Sequence, residues 1–219
     1  DVQSQVKRAS DIISHLRRFG RDSSKVIPKN ENLNQLLERT LDFMHKQFTK
    51  SNIQIERQLS TALPEALCNA IQIEQVLTNL FLNAKDAMEH SPQKILTVRS
   101  YFEPPWVVIE IEDTGVGIPK KLQKEIFNSF FTTKEEGKGT GLGLSISLGI
   151  IQDHGGEIQV HSQPSKGSVF SIKLPSLPIQ AGRKLAQEII LPGEITLIKP
   201  EPVSLQVDLL QTTIQEIGQ

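Results

Sequence analysis

The sequence predicts an α+β fold. Three observations carry that expectation: long segments with apolar residues every three or four positions, pairs of short alternating segments joined by tight turns, and a glycine-rich stretch opening a further helix. At 219 residues the chain can bury one sizeable core beside a small second unit. A formal net charge of −1 offers no attraction to nucleic acid or to an anionic membrane surface. The single cysteine, Cys68, cannot form an internal disulfide, which fits a reducing, cytoplasmic setting. No apolar run is long enough to span a bilayer and no signal-peptide pattern is present. The chain begins at Asp1 rather than at Met, which leaves room for a membrane anchor upstream.

Residues 1–20 carry Val2, Ala9, Ile12, Leu16 and Phe19 at helical spacing, a narrow seam suited to a partner helix, and Arg17, Arg18 and Arg21 close it. A linker to Pro28 follows. The spacing of Leu33, Leu36, Leu37, Leu41, Met44 and Phe48 predicts a helix over 31–50, and residues 53–59 alternate as a strand. The next helix, over 71–90, has a wide apolar face (Ile73, Val76, Leu77, Leu80, Phe81, Ala84, Ala87, Met88). Beside it runs a polar stripe, Gln72, Gln75, Asn79, Asn83 and Asp86, whose steps of three and four share one face. Buried amides need partners, so the stripe either satisfies backbone groups and water or offers Asn83's carbonyl oxygen to Mg²⁺, a hard cation.

Residues 95–102 and 106–112 predict a hairpin across Pro104-Pro105. In its second arm Val107, Ile109 and Ile111 alternate with Val108, Glu110 and Glu112, and the arm delivers Asp113 to a turn, DTGVGIP. That turn is either a plain strand end or a ligand site. The carboxylate can accept a hydrogen bond from an exocyclic amine, and Gly115 and Gly117 admit close approach. A short helix is expected at 121–127. Residues 128–138, with Phe130, Phe131 and Lys134, read as a surface loop or as a lid that closes over a ligand. Gly139-Thr140-Gly141-Leu142-Gly143-Leu144-Ser145 then opens a helix stopped by Gly155-Gly156. Free N–H groups at such a start attract phosphate, although the spacing is neither a P-loop nor a dinucleotide fingerprint. Residues 157–162 and 168–174 predict a last hairpin. After Pro175 prolines and glycines interrupt short strand-like pieces, without a chemical motif.

In this order and spacing, four stretches resemble the ATP-binding catalytic domain of two-component sensor histidine kinases, a branch of the Bergerat-fold ATPases. Residues 79–87 (NLFLNAKDA) are similar to the N box, 113–119 to the G1 box, 127–134 (FNSFFTTK) to the F box and 139–144 (GTGLGL) to the G2 box. The resemblance implies a two-layer α/β sandwich with a mixed sheet over residues 25–175. Residues 1–24 would be the end of a dimerisation and phosphotransfer hairpin with its linker, hence a homodimer seam, and 176–219 an extension without counterpart. It also implies ATP and Mg²⁺ as ligands. Asp113 would take the adenine amine with Gly115 and Gly117 shaping the pocket, and Asn83 would hold Mg²⁺ with Asn79 in support. Gly139, Thr140, Gly141, Leu142, Gly143 and Leu144 would cradle phosphates, with Lys134 or Lys138 reaching the γ-phosphate. A phosphoacceptor-histidine helix, upstream or in trans, and a response regulator would be the partners.

Two departures stand out. Asp86 occupies a position where many members carry a cation, and none of His15, His45, His90, His154 and His161 lies in a phosphoacceptor box. A hydrolytic ATPase clamp of the same superfamily and a non-catalytic nucleotide-binding scaffold are therefore the rival readings.

Overall fold

The computed structural model describes residues 28–134 and 139–176. The helix expected in residues 1–24, Lys138 and nearly all of the extension at 176–219 lie outside the described residues. The chain runs β1 (Lys29–Glu31), α1 (Leu33–Lys50), β2 (Gln54–Leu59), β3 (Ala66–Cys68), α2 (Ala70–Ala87), β4 (Ile95–Glu103), β5 (Trp106–Asp113), α3 (Gly143–Asp153), β6 (Glu157–Gln163) and β7 (Gly167–Pro175).

Both long helices begin at an asparagine cap. Asn32 accepts from the N–H groups of Asn34 and Gln35, and Asn69 from those of Ile71 and Gln72, satisfying donors that a helix start leaves orphaned. The first cap starts α1 after Glu31, which joins β1 instead of the helix. The second helix ends at Ala87 with Met88 as its cap, short of the expected His90. The apolar faces predicted for α1 and α2 are buried except at Ala87, which is half-buried, and Phe48 meets Phe81 edge to face at 5.9 Å between centroids. The short helix expected at 121–127 is instead two 3₁₀ turns, Lys120–Leu122 and Glu125–Phe127. Neither has a side-chain cap, and so short a stretch cannot repay helix nucleation.

The five-stranded sheet has the order β2-β4-β5-β7-β6. The β2–β4 pair is parallel and the remaining neighbours are antiparallel, so the sheet is mixed, as expected. A separate ladder pairs β1 with β3, Lys29 opposite Cys68. Leu96, Val98, Val107, Ile109, Ile111, Ile158, Phe170, Ile172 and Leu174 line the inner face and share one core with α1, α2 and α3. This is the two-layer arrangement. The opposite face is polar: Arg99 pairs with Glu112 at 2.6 Å, and the Tyr101 hydroxyl donates to Glu110 at 3.0 Å. Val108 belongs to that outer face by alternation yet is fully buried. Its register neighbours are Tyr101 and Lys173, long side chains that shield a small one between them.

Candidate functional site

Alternation along β5 that buries Ile109 and Ile111 also turns Asp113 inward, where it is only 3 % exposed. It sits opposite Ser168 in the β5–β7 register. Its Oδ1 accepts the Gly115 N–H at 2.8 Å, and the Ser168 backbone N–H is a second donor to the carboxylate. Burial pushes the Asp113 carboxyl up to about 6; the two N–H bonds pull it down, and Glu112 adds a smaller upward push. An ionised carboxylate has about four acceptor sites, so capacity for a further donor remains.

The turn after Asp113 is fastened on three sides. Val116 N–H donates to the Ala87 carbonyl at the end of α2 at 3.1 Å, and the Ser165 N–H donates to the Val116 carbonyl at 2.8 Å. Thr114 Oγ1 donates to the Gln93 carbonyl at 2.8 Å and accepts from Ile95 N–H at 3.0 Å. Gly117 has φ +70°, and a Cβ there would run into the Gln163 carbonyl. A Cβ on Gly115 would lie 2.6 Å from Asp113 Oδ1, so any other residue would crowd the carboxylate.

The polar stripe of α2 faces the start of α3. Asn79 Nδ2 donates to Ser147 Oγ at 2.9 Å, and Ser147, itself buried, donates to the Gly143 carbonyl at 3.0 Å. A Cβ on Gly143 would collide with the Asn79 amide, so glycine lets the two helices meet. Asn83, one turn on, is half-buried, and among the described residues its amide has no hydrogen-bond partner. Next comes Asp86, whose Oδ1 meets Lys85 Nζ at 2.9 Å and whose Oδ2 meets Lys134 Nζ at 2.6 Å. Burial pushes the Asp86 carboxyl up, but the hydrogen bonds and charges of Lys134 and Lys85 outweigh it and hold the group below the usual carboxylate range.

The Lys134 stem lies against Gly139, where a Cβ would sit 3.3 Å from it. Phe130 N–H donates to the Gly141 carbonyl at 2.8 Å, joining the FFTTK stretch to the glycine run. Phe130 is 64 % exposed, whereas Phe131 is partly buried against the core, so one of the two phenylalanines expected at the surface is there. Leu142 is the cap residue of α3, its N–H donating to Thr140 Oγ1 at 3.4 Å, and Gly143 and Leu144 form the open first turn.

The structure thus gathers the predicted residues into two clusters on one side of α2. Asp113, Gly115 and Gly117 lie beside the end of α2. Asn79, Asn83, Lys134 and residues 139–144 lie along α2 and at the start of α3. Lys138 is outside the described residues. Sequence reasoning missed Ser147 and Ser168, the partners of Asn79 and Asp113. The one local hint for Ser168 is a small polar residue at the start of the strand expected over 168–174.

The family described as Histidine kinase-, DNA gyrase B-, and HSP90-like ATPase matches residues 68–178, half of the chain, and the chain belongs to it. It carries the ATP-binding catalytic domain of a sensor histidine kinase. It is similar to Sporulation kinase E of Bacillus subtilis, 32% identical over 174 residues, covering 80% of this chain and 23% of the relative. Sensor kinase CckA of Brucella abortus is 36% identical over 190 residues, covering 81% of this chain and 20% of the relative. The chain therefore spans about a fifth to a quarter of these relatives. The crystallised catalytic domain of histidine kinase ThkA superposes with TM-score 0.62 at 32% identity, over 69% of this chain and 97% of that domain. ThkA in complex with the response regulator protein TrrA gives 0.65 at 26% identity, over 82% of this chain and 50% of the ThkA chain.

Proposed function

We propose that this chain binds Mg-ATP between Asp113 and the start of α3, and passes the γ-phosphoryl group to a histidine on a separate helix. The observation that carries the reading is the buried Asp113 carboxylate beside a glycine-lined turn, with acceptor capacity beyond its two N–H donors. It is suited to accept the adenine amine. At the other cluster the Asn83 amide, without a hydrogen-bond partner among the described residues, offers one carbonyl oxygen. Among the described residues no group of three or more His, Cys, Asp or Glu could hold a metal. A Mg²⁺ ion would therefore be held by Asn83, water and phosphate oxygens, the mode that ion favours. It would supply neutralisation of phosphate charge. Gly139, Gly141, the N–H groups of Gly143 and Leu144, and the Lys134 ammonium are the protein's own contributions to holding the phosphates.

Phosphoryl transfer of this kind asks for positioning and charge neutralisation. Hydrolysis asks in addition for a base to activate water. In hydrolytic members of the superfamily a glutamate occupies the position four residues before the metal-binding asparagine. Here that position is Asn79, whose amide donates to Ser147 and cannot take a proton. General-base assistance is worth roughly 10²–10⁴-fold, so its loss favours transfer over hydrolysis. None of His45, His90, His154 and His161 lies in a phosphoacceptor box, and His154 already accepts the Asn69 N–H at 3.0 Å, so the acceptor is assigned to a helix outside the described residues or to another chain. A response regulator, as in the ThkA complex, is the onward acceptor, and the cytoplasm, where ATP and reduced thiols coexist, is the site of action. Among the described residues no helix is long and apolar enough to cross a membrane.

The test is incubation of the full chain with γ-labelled ATP, with and without a helical hairpin bearing an acceptor histidine. Label should appear on the hairpin while phosphate release stays near background. Brisk phosphate release by the chain alone, abolished by Asn83→Ala, would favour the hydrolytic clamp.

A further inference from the structure

Asp86 is an acid on the face where Asn79 and Asn83 meet the proposed nucleotide phosphates, and an acid there should repel them. The geometry resolves the conflict. Both of its oxygens are taken by ammonium groups, Lys85 at 2.9 Å and Lys134 at 2.6 Å, so the three-residue cluster carries net positive charge. Lys134 belongs to a different segment from α2, and its stem lies against Gly139 at the head of the glycine run. An ammonium group has three donors, and the contact with Asp86 uses one of them.

We propose that Asp86 is a positioning residue that draws Lys134 to α2, so that this lysine supplies the phosphate-binding cation that α2 itself does not carry at position 86. The inference rests on the nucleotide site proposed above. Asp86 holds the flexible lysine between α2 and the glycine run, so less side-chain freedom remains to be lost when a phosphate arrives. Lys85 balances the acid, leaving the charge of Lys134 for the ligand.

The experiment is a double-mutant cycle on the full chain, with ADP affinity measured by calorimetry and adenosine affinity by NMR titration. The variants are Lys134→Ala, Asp86→Asn, their combination, and the swap Asp86→Lys with Lys134→Ala. In the parent background Lys134→Ala should weaken ADP about tenfold, a charge-assisted contact discounted for partial exposure, and leave adenosine unchanged. In the Asp86→Asn background the same substitution should cost about twofold or less, because the lysine is no longer held. The swap should recover most of the ADP affinity by placing the cation on α2 directly. An equal Lys134→Ala penalty in both backgrounds would overturn the positioning role. So would an unchanged ADP affinity in Lys134→Ala, or a parallel loss of adenosine, which would mark a collapsed site. A parent chain that binds neither ADP nor adenosine would instead sink the nucleotide site itself.

Discussion

The two clusters beside α2 are built on opposite principles. At the strand end, Asp113 is buried, held by backbone N–H groups and surrounded by glycines that leave no room for a methyl group. At the helix end, Asp86 and Lys134 are about a third exposed and are held by charge, and the Asn83 amide has no hydrogen-bond partner among the described residues. The first end is preorganised at the expense of stability, since a carboxylate is kept where water cannot reach it. The second stays solvated and adjustable, as suits a ligand whose phosphate chain changes length during the reaction. Shape is enforced where the base would bind, and charge where the phosphates would bind.

The contrast can be broken most forcefully at Gly117. Gly117→Ala places a methyl group against the Gln163 carbonyl on a backbone with φ +70°. We expect a loss of roughly 2–5 kcal/mol of folding stability, read by urea denaturation. A change under about 1 kcal/mol would show that the turn is looser than drawn.

Asp113→Asn sharpens the comparison in the other direction. The folded-state value of about 6 lies above that of an unfolded aspartate, so ionisation costs the folded domain stability. That cost is absent below the unfolded value of about 4, grows as pH rises between about 4 and 6, and is complete above, at roughly 3 kcal/mol. The ligand-free Asp113→Asn domain should therefore be more stable than the parent at pH 7, by up to that amount. Its advantage should fade as the pH is lowered towards 4. Melting curves at both pH values check this, and a variant less stable than the parent at pH 7 would refute the burial argument.

At the helix end, Asn83→Ala should leave folding intact while reducing the benefit of Mg²⁺ for ATP binding about tenfold, measured by calorimetry with and without the metal. An effect of similar size is expected from Ser147→Ala, which frees the Asn79 amide and should cost about 1–2 kcal/mol of stability, again by urea denaturation.

The site was legible in the sequence wherever its chemistry was local. Alternation in residues 106–112 located Asp113 at a strand end, and helical spacing put Asn79, Asn83 and Asp86 on one face. The glycine run announced the start of α3. What the sequence did not disclose depends on contacts between distant segments. Ser147 and Ser168 acquire their roles only through the α2–α3 approach and the β5–β7 register. The β1–β3 ladder is built from strands of three residues, too short for any period to show. The resemblance implied a mixed sheet, but that β2 pairs with β4 in parallel was legible neither from it nor from the residues. At 31–50 and 71–90 the apolar period was right, but the start of the first helix and the end of the second were not, because the Asn32 and Met88 caps decide them.

Calorimetric titration of ADP into the parent and Asp113→Asn, at pH 7.5 with Mg²⁺ present, tests the account most directly. A hydrogen bond to a charged acceptor is worth roughly 1.5–3 kcal/mol, so the account predicts a loss of about ten- to more than a hundredfold in affinity. The loss should occur in a variant at least as stable as the parent. Equal ADP affinity in the two proteins would contradict the assignment of Asp113 as the residue that receives the base.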